Sequence, residues 1–130
     1  MASQAQAWAF SSDPICTISH SEAAADIVVT YDPRTALYAI AITKQDGWPT
    51  DPGFSIRFSG ANNLTISTTR HSVVGNTLTV TDRGFGNVLN GLAFNTTATA
   101  FTESAAVTVS LEGASEPVDA FRACASAPIA

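Results

Sequence analysis

Apolar and polar residues alternate strictly along several stretches of this 130-residue chain. The clearest are residues 54–59 (FSIRFS), 77–81 (TLTVT) and 107–112 (VTVSLE). Successive side chains of a β-strand point to opposite faces of the sheet, so this period of two places one face on an apolar core and the other in water. The pattern therefore predicts a mainly β protein.

Further strands and the turns between them follow from the same pattern. Turn residues separate these strands: Pro33 fixes φ within a turn at residues 32–35, and Gly75-Asn76 indicates a tight hairpin. Strands at this spacing predict an antiparallel β-sandwich or a barrel-like meander. The additional strands are expected at residues 14–20, 26–31, 35–43 and 63–68.

Two stretches depart from the alternation and predict helices. Apolar residues recur at helical spacing in residues 85–92, which indicates one short helix. Residues 115–125 predict a C-terminal helix, with Ser115 as its N-cap and Pro117 in its first turn. The acidic side chain of Glu116 suits the positive end of the helix dipole.

Cys16 and Cys124 are the two cysteines, and they lie near opposite ends of the chain. A helix packed on the sheet would bring Cys124 to the strand that holds Cys16. A disulfide closing a loop of this size would contribute roughly 4–5 kcal/mol in the chain-entropy model. Such bridges persist in oxidising compartments, whereas the alternative is two buried free thiols in a cytosolic protein.

The start of the chain favours export as well. The residues before Trp8 are small and polar and end in Ala5-Gln6-Ala7, a pattern typical of signal-peptide cleavage. We expect a periplasmic or secreted protein whose single β-rich domain spans residues 8–125. Flexible tails are expected at residues 1–7 and 126–130.

The charge pattern limits the partners. The chain carries a net charge of −5, and its six basic residues are scattered along the sequence. Nucleic-acid binding needs a basic stripe that neutralises phosphates, so we do not expect it. No apolar run approaches the roughly 20 residues that span a bilayer, so no membrane insertion is expected. A protein partner is compatible with this charge.

His20, Glu22 and His71 are weak candidates for metal ligands. His20 and Glu22 form a His-x-Glu pair, which points to one face of a strand. Together with His71 they would form a three-ligand set of the catalytic-zinc kind. We instead expect ordinary surface histidines, no metal and no cofactor. No Gly-x-Ser-x-Gly motif is present, and no spacing indicates a catalytic trio.

The loop at residues 45–53 (QDGWPTDPG) is the candidate binding surface, with Trp48, Asp46 and Asp51 as possible binding residues. A tryptophan in a loop can stack on a sugar or form a protein hot spot. The alternative is that Trp48 folds back and caps one end of the core. Residues 68–71 form part of a second polar rim without obvious chemistry.

Several features, taken in order, resemble a known family. Trp8 shortly precedes Cys16, a short turn follows in GFGNVLNGLAF (84–94), and a strand ending in VSLEGA (109–114) leads into EPVDAFRAC (116–124). This resembles the periplasmic invasion-associated locus B family and related small exported proteins of alphaproteobacteria. The resemblance implies a bacterial, periplasmic or secreted, β-sandwich-like protein without known enzymatic activity. It implies no functional residues.

The sequence favours one function and leaves two others open. We expect a non-enzymatic periplasmic or secreted protein that binds another macromolecule, as an accessory, inhibitor or immunity-type module. The first alternative is a small-ligand or carbohydrate-binding domain that uses the Trp48 loop. The weaker alternative is a metal-dependent enzyme built on His20, Glu22 and His71.

Overall fold

Ten strands and two helices make up residues 8–126, the part of the chain that the computed structural model describes. The predicted tail at 1–7 and the cleavage pattern at residues 5–7 lie outside the described residues, as does the predicted tail at 126–130 apart from its first residue. The elements are β1 (Ala9–Ser11), β2 (Cys16–Ser21), β3 (Ala25–Asp32), β4 (Leu37–Lys44), β5 (Phe54–Gly60), β6 (Leu64–Thr68), β7 (Ser72–Val74), β8 (Thr77–Asp82), α1 (Gly86–Phe94), β9 (Asn95–Phe101), β10 (Ala106–Ser110) and α2 (Ser115–Ala125).

The strands form two antiparallel sheets, so the predicted β-rich, sandwich-like fold is confirmed. One sheet has six strands in the order β1-β2-β3-β4-β8-β7, and the other has four in the order β10-β9-β5-β6. The first four strands follow one another as a meander. After β4 the chain changes sheet repeatedly, at β4–β5, β6–β7 and β8–β9, which is how one chain builds both layers.

Two strands were not predicted, β1 and β9. Strand β9 reads NTTATAF, and its buried residues are Ala98 and Ala100. Alanine is short and only weakly apolar, so its alternation with threonine gives a weak signal of a buried face. The three-residue β1 is too short to show a period at all.

Both predicted helices are confirmed, and one detail of their ends is wrong. Ala114 occupies the N-cap position of α2 and no side chain caps it, so Ser115 is the first helical residue instead of the cap.

Helix α1 packs closely on the four-stranded sheet at Gly91. A Cβ atom at that position would collide with the ring of Phe58, so only glycine allows this approach.

The core lies between the inner faces of the two sheets. Pairing places Ile18, Val29 and Ile40 in one row across the six-stranded sheet. The opposing sheet contributes Ile56 and Phe58. The residual cavity between the sheets measures about 10 Å³, which is roughly the space of one water. The centre of the sandwich is therefore close-packed.

The predicted disulfide is confirmed. Cys16, the first residue of β2, is joined to Cys124 in the last turn of α2, with the two Cα atoms 5.9 Å apart. Phe121, one turn earlier in α2, is fully buried. Arg122 of the same helix donates to the Asn90 side chain of α1 at 2.6 Å. The bridge therefore fastens the helical end of the sandwich to β2.

Within residues 8–126, no helix is long and apolar enough to cross a membrane.

Candidate functional site

Trp8 and His20 stack on each other at one lateral edge of the sandwich. Their ring centroids are 4.4 Å apart and their planes differ by 6°. Trp8 is 4% exposed and His20 is 5% exposed. The expectation that His20 is an ordinary surface histidine is therefore wrong, because the indole ring of Trp8 covers it.

Glu22 connects this pair to the other sheet. One of its carboxylate oxygens lies 2.7 Å from Nε2 of His20 and accepts the backbone N–H of Ser110 at 2.7 Å. An ionised carboxylate only accepts hydrogen bonds, so Nε2 of His20 is the donor. The indole N–H of Trp8 donates to the carbonyl of Ser110 at 2.9 Å.

These contacts close one lateral edge of the molecule. Ser110 is the last residue of β10, an edge strand of the four-stranded sheet. Both of its backbone polar groups are bound by side chains that come from beside β1 and β2. We call this edge, formed by Trp8, His20, Glu22 and Ser110, the sealed side.

His71 does not join His20 and Glu22 in a metal site. His71 directly precedes β7, whereas His20 lies on β2, and four strand spacings separate those strands in the six-stranded sheet. At the usual spacing this corresponds to roughly 19 Å. No group of three metal-ligand side chains occurs in residues 8–126. The weak candidate set of three ligands is therefore not assembled.

Trp48 packs into the molecule. It is 6% exposed, and its indole N–H donates to the carbonyl of Ile42 at 3.0 Å. Its ring meets Phe54 edge to face, and Nζ of Lys44 lies 5.8 Å from the ring centroid. Trp48 therefore caps the core. The alternative of a sugar-stacking platform at Trp48 is wrong, because a covered ring offers no free face.

Asp51 joins the loop between β4 and β5 to the turn between β9 and β10. Its carboxylate accepts the backbone N–H of Ser104 at 2.9 Å and the Ser104 hydroxyl at 2.7 Å. The hydrogen bond from the Ser104 hydroxyl, supported by that from the Ser104 backbone N–H, lowers the pKa of Asp51. Nε2 of His71 lies 3.0 Å from the Asp51 carbonyl oxygen. Asp46, the remaining predicted binding residue, is exposed.

A groove opens at the lateral edge opposite the sealed side. It lies between β5 and β6 of one sheet and β4 and β8 of the other, and its volume is about 420 Å³. The start of α1 closes one end. We call it the open groove. Its apolar lining consists of Ile40, Phe54, Ile56, Ile66, Val80, Phe85 and Val88.

The mouth of the open groove is polar. Nη2 of Arg70 lies 3.9 Å from Oδ2 of Asp82, and these side chains are 77% and 49% exposed. An exposed ion pair of this kind contributes about 0–1 kcal/mol. Ser67, Thr68 and Asn87 complete the rim. The ion pair between Arg70 and Asp82 therefore adds little to the stability of the mouth.

The open groove could not be predicted from the sequence. Thr68 and Arg70 were predicted only as part of a polar rim without chemistry. The walls come from strands of different sheets, and the chain alternates normally through Ile66 and Val80. No local signal separates such half-buried positions from fully buried ones.

No protein-family model, curated protein or solved structure matched the chain in the three comparisons made. The resemblance to the invasion-associated locus B family therefore stays a prediction.

Proposed function

We propose that this protein is a non-catalytic, exported binding domain that takes part of another protein into the open groove. The observation that carries the proposal is the groove itself, an apolar space of about 420 Å³ beside a close-packed core. Binding cavities typically measure roughly 300–1,000 Å³ and combine apolar walls with a few polar groups. The open groove fits both criteria.

The side chains of the groove favour binding over catalysis. Of the residues that line it, only Arg70 and Asp82 carry a charge, and they face each other at the mouth. General acid–base catalysis needs a titratable group within hydrogen-bond reach of the reacting atoms. The walls offer aliphatic and aromatic carbon instead, which suits an apolar occupant.

The disulfide supports the export part of the proposal. A bridge between Cys16 and Cys124 persists in an oxidising compartment such as the periplasm or the extracellular space. A protein partner in that compartment is compatible with the net charge of −5.

Selection from a displayed library of random decapeptides tests the proposal. We expect selected peptides to bind the native protein and to bind Ile66→Lys at least 10-fold more weakly, because the added ammonium group enters the groove. Thr108→Lys adds the same charge at an exposed position of β10 in the same sheet, and this variant is expected to bind the peptides normally. Asn87→Trp, which fills the groove from its rim, provides a second blocking variant if Ile66→Lys does not fold.

The outcome separates this proposal from its nearest rival. If the groove takes small apolar molecules, a fragment panel will raise the melting temperature while the library yields no binder. That result, or peptides that bind Ile66→Lys and Asn87→Trp normally, would overturn the proposal of a protein partner.

A further inference from the structure

We propose that the partner enters the open groove as an added β-strand that pairs with the free edge of β6. This inference rests on the proposed function, because it specifies how the groove recognises a protein. The added segment continues the four-stranded sheet. Its alternate side chains then point between the two sheets.

Among residues 8–126, two of the four sheet edges are too short for extended strand pairing, and a third is covered at its last residue. Strands β1 and β7, the edges of the six-stranded sheet, contain three residues each. Edge strand β10 ends at Ser110, whose N–H and carbonyl are bound by Glu22 and Trp8. Short strands and covered backbone groups are two of the ways in which proteins prevent unwanted edge pairing.

The fourth edge, β6, lacks these protections. It spans five residues, LTIST, with no charged residue and no proline. It pairs with β5 in regular register from Leu64 to Thr68, and residues 8–126 place no strand on its other side. An uncharged and regular edge is a template for another strand, and here it borders the open groove.

The side chains facing this position indicate the chemistry of the occupant. Leu64 and Ile66 point inward from β6 but are only half-buried, and so is Val80 across the groove. A strand placed beside β6 would cover these three residues with every second side chain. The walls carry no charge, so the occupant is an extended segment with uncharged apolar residues at alternate positions.

A second copy of this chain fits the position less well. Trp8 and Glu22 place β10 over β1 and β2, and the groove places β5 and β6 over β4 and β8. Strand β7 therefore extends beyond β6. Two copies approaching through β6 would meet first at β7, before their β6 edges could pair.

Backbone methylation of the best selected decapeptide tests strand addition. Alternate N–H groups of a strand point to opposite edges, so methylating every second amide blocks only one edge. We expect one alternating set of N-methyl groups to weaken binding at least 10-fold and the complementary set to change it less than about 3-fold. The amides of β6 that face away from β5 should exchange at least 10-fold more slowly in the complex.

The same experiment distinguishes failure of the two proposals. A peptide that depends on Ile66, tolerates both methyl sets equally and leaves β6 exchange unchanged would overturn strand addition and leave the proposed function standing. Failure to select any groove-dependent peptide would overturn both. A native dimer that Ile66→Lys converts to a monomer in sedimentation would assign β6 to a second copy and contradict the inference.

Discussion

The two lateral edges of this sandwich are built from the same strand pattern but end differently. On the sealed side, the indole of Trp8 and the carboxylate of Glu22 bind both backbone groups of Ser110 at the end of β10, and the imidazole of His20 stacks on the indole and contacts the carboxylate. On the other side, β6 borders a groove of about 420 Å³, and no strand from the described part of the chain lies beside it.

The difference teaches that closing a sandwich edge requires particular side chains in addition to an apolar core. Backbone groups at a sheet edge need partners, and Trp8 and Glu22 supply them to Ser110 from beside β1 and β2. The open groove has apolar walls of the same kind, and residues 8–126 place no further strand at its β6 edge. Four predictions test this contrast, beginning with the largest effect.

Loss of the disulfide, which joins α2 to β2, should cause the largest decrease in the stability of the domain. Replacing both Cys16 and Cys124 by serine is expected to lower the free energy of unfolding by about 4–5 kcal/mol, because the unfolded chain regains the entropy of a loop of roughly 100 residues. Urea denaturation measures this loss. Reduction of the native protein is the control and should give a similar decrease. A change below about 1 kcal/mol would contradict the proposed contribution of the bridge.

The same truncation should have unequal effects on strand β2 and on the open groove. Ile18→Ala removes a fully buried side chain of β2 and should cost about 2–5 kcal/mol in unfolding free energy. Ile66→Ala removes a half-buried side chain and should cost about 1 kcal/mol, since solvent already reaches the site. Chemical denaturation of both variants measures the difference. Equal losses would show that the groove is packed as tightly as the core.

Removing the carboxylate of the sealed side should expose its edge. Glu22→Ala leaves the Ser110 N–H and Nε2 of His20 without their acceptor and should cost about 1–3 kcal/mol. The Ser110 amide should also exchange faster with solvent. Glu22→Gln keeps one acceptor oxygen and should lose less. An unchanged exchange rate in Glu22→Ala would argue that other groups close this edge.

The smallest expected effect is the pH dependence of Asp51, whose hydrogen bonds join connections at one end of the sandwich. Its pKa is lowered in the folded state, first by the Ser104 hydroxyl, so its stabilisation is complete above the ordinary value of 3.8 that applies to the unfolded chain. That stabilisation is lost as the pH falls through the lower folded value. Melting temperatures measured at decreasing pH should therefore fall less in Asp51→Asn than in the native protein.

Asp46→Asn is the matched control for this titration. It makes the same change in the same connection at an exposed position and should keep the native acid dependence. Identical acid limbs for the native protein and Asp51→Asn would contradict a contribution from Asp51.

Much of the fold could be predicted because its signals are local. Alternation in 54–59 and 77–81 marks strands whatever lies around them, and these strands occur as β5 and β8. The apolar stripe of 115–125 likewise marks α2. Cys16 and Cys124 could be paired because each lay on the apolar face of a predictable element.

The candidate site could not be predicted in this way. His20 is flanked by serines, which suggested exposure, and only its contact with Trp8 buries it. Trp48 lies in a polar loop, yet its indole N–H binds the carbonyl of Ile42 and its ring joins the core. In both cases the side chain is buried by residues that the alternation of neighbouring residues does not reveal.

The amino-acid order alone determined the strand-rich class, the helical end and the two cysteines available for pairing. These depend on backbone periodicity and on side-chain chemistry that neighbouring residues carry with them. Only the tertiary structure decided which sheet edge is closed and which is open. Edge closure depends on the distance between residues far apart in the chain, such as Trp8 and Ser110, and that distance exists only after both sheets have formed.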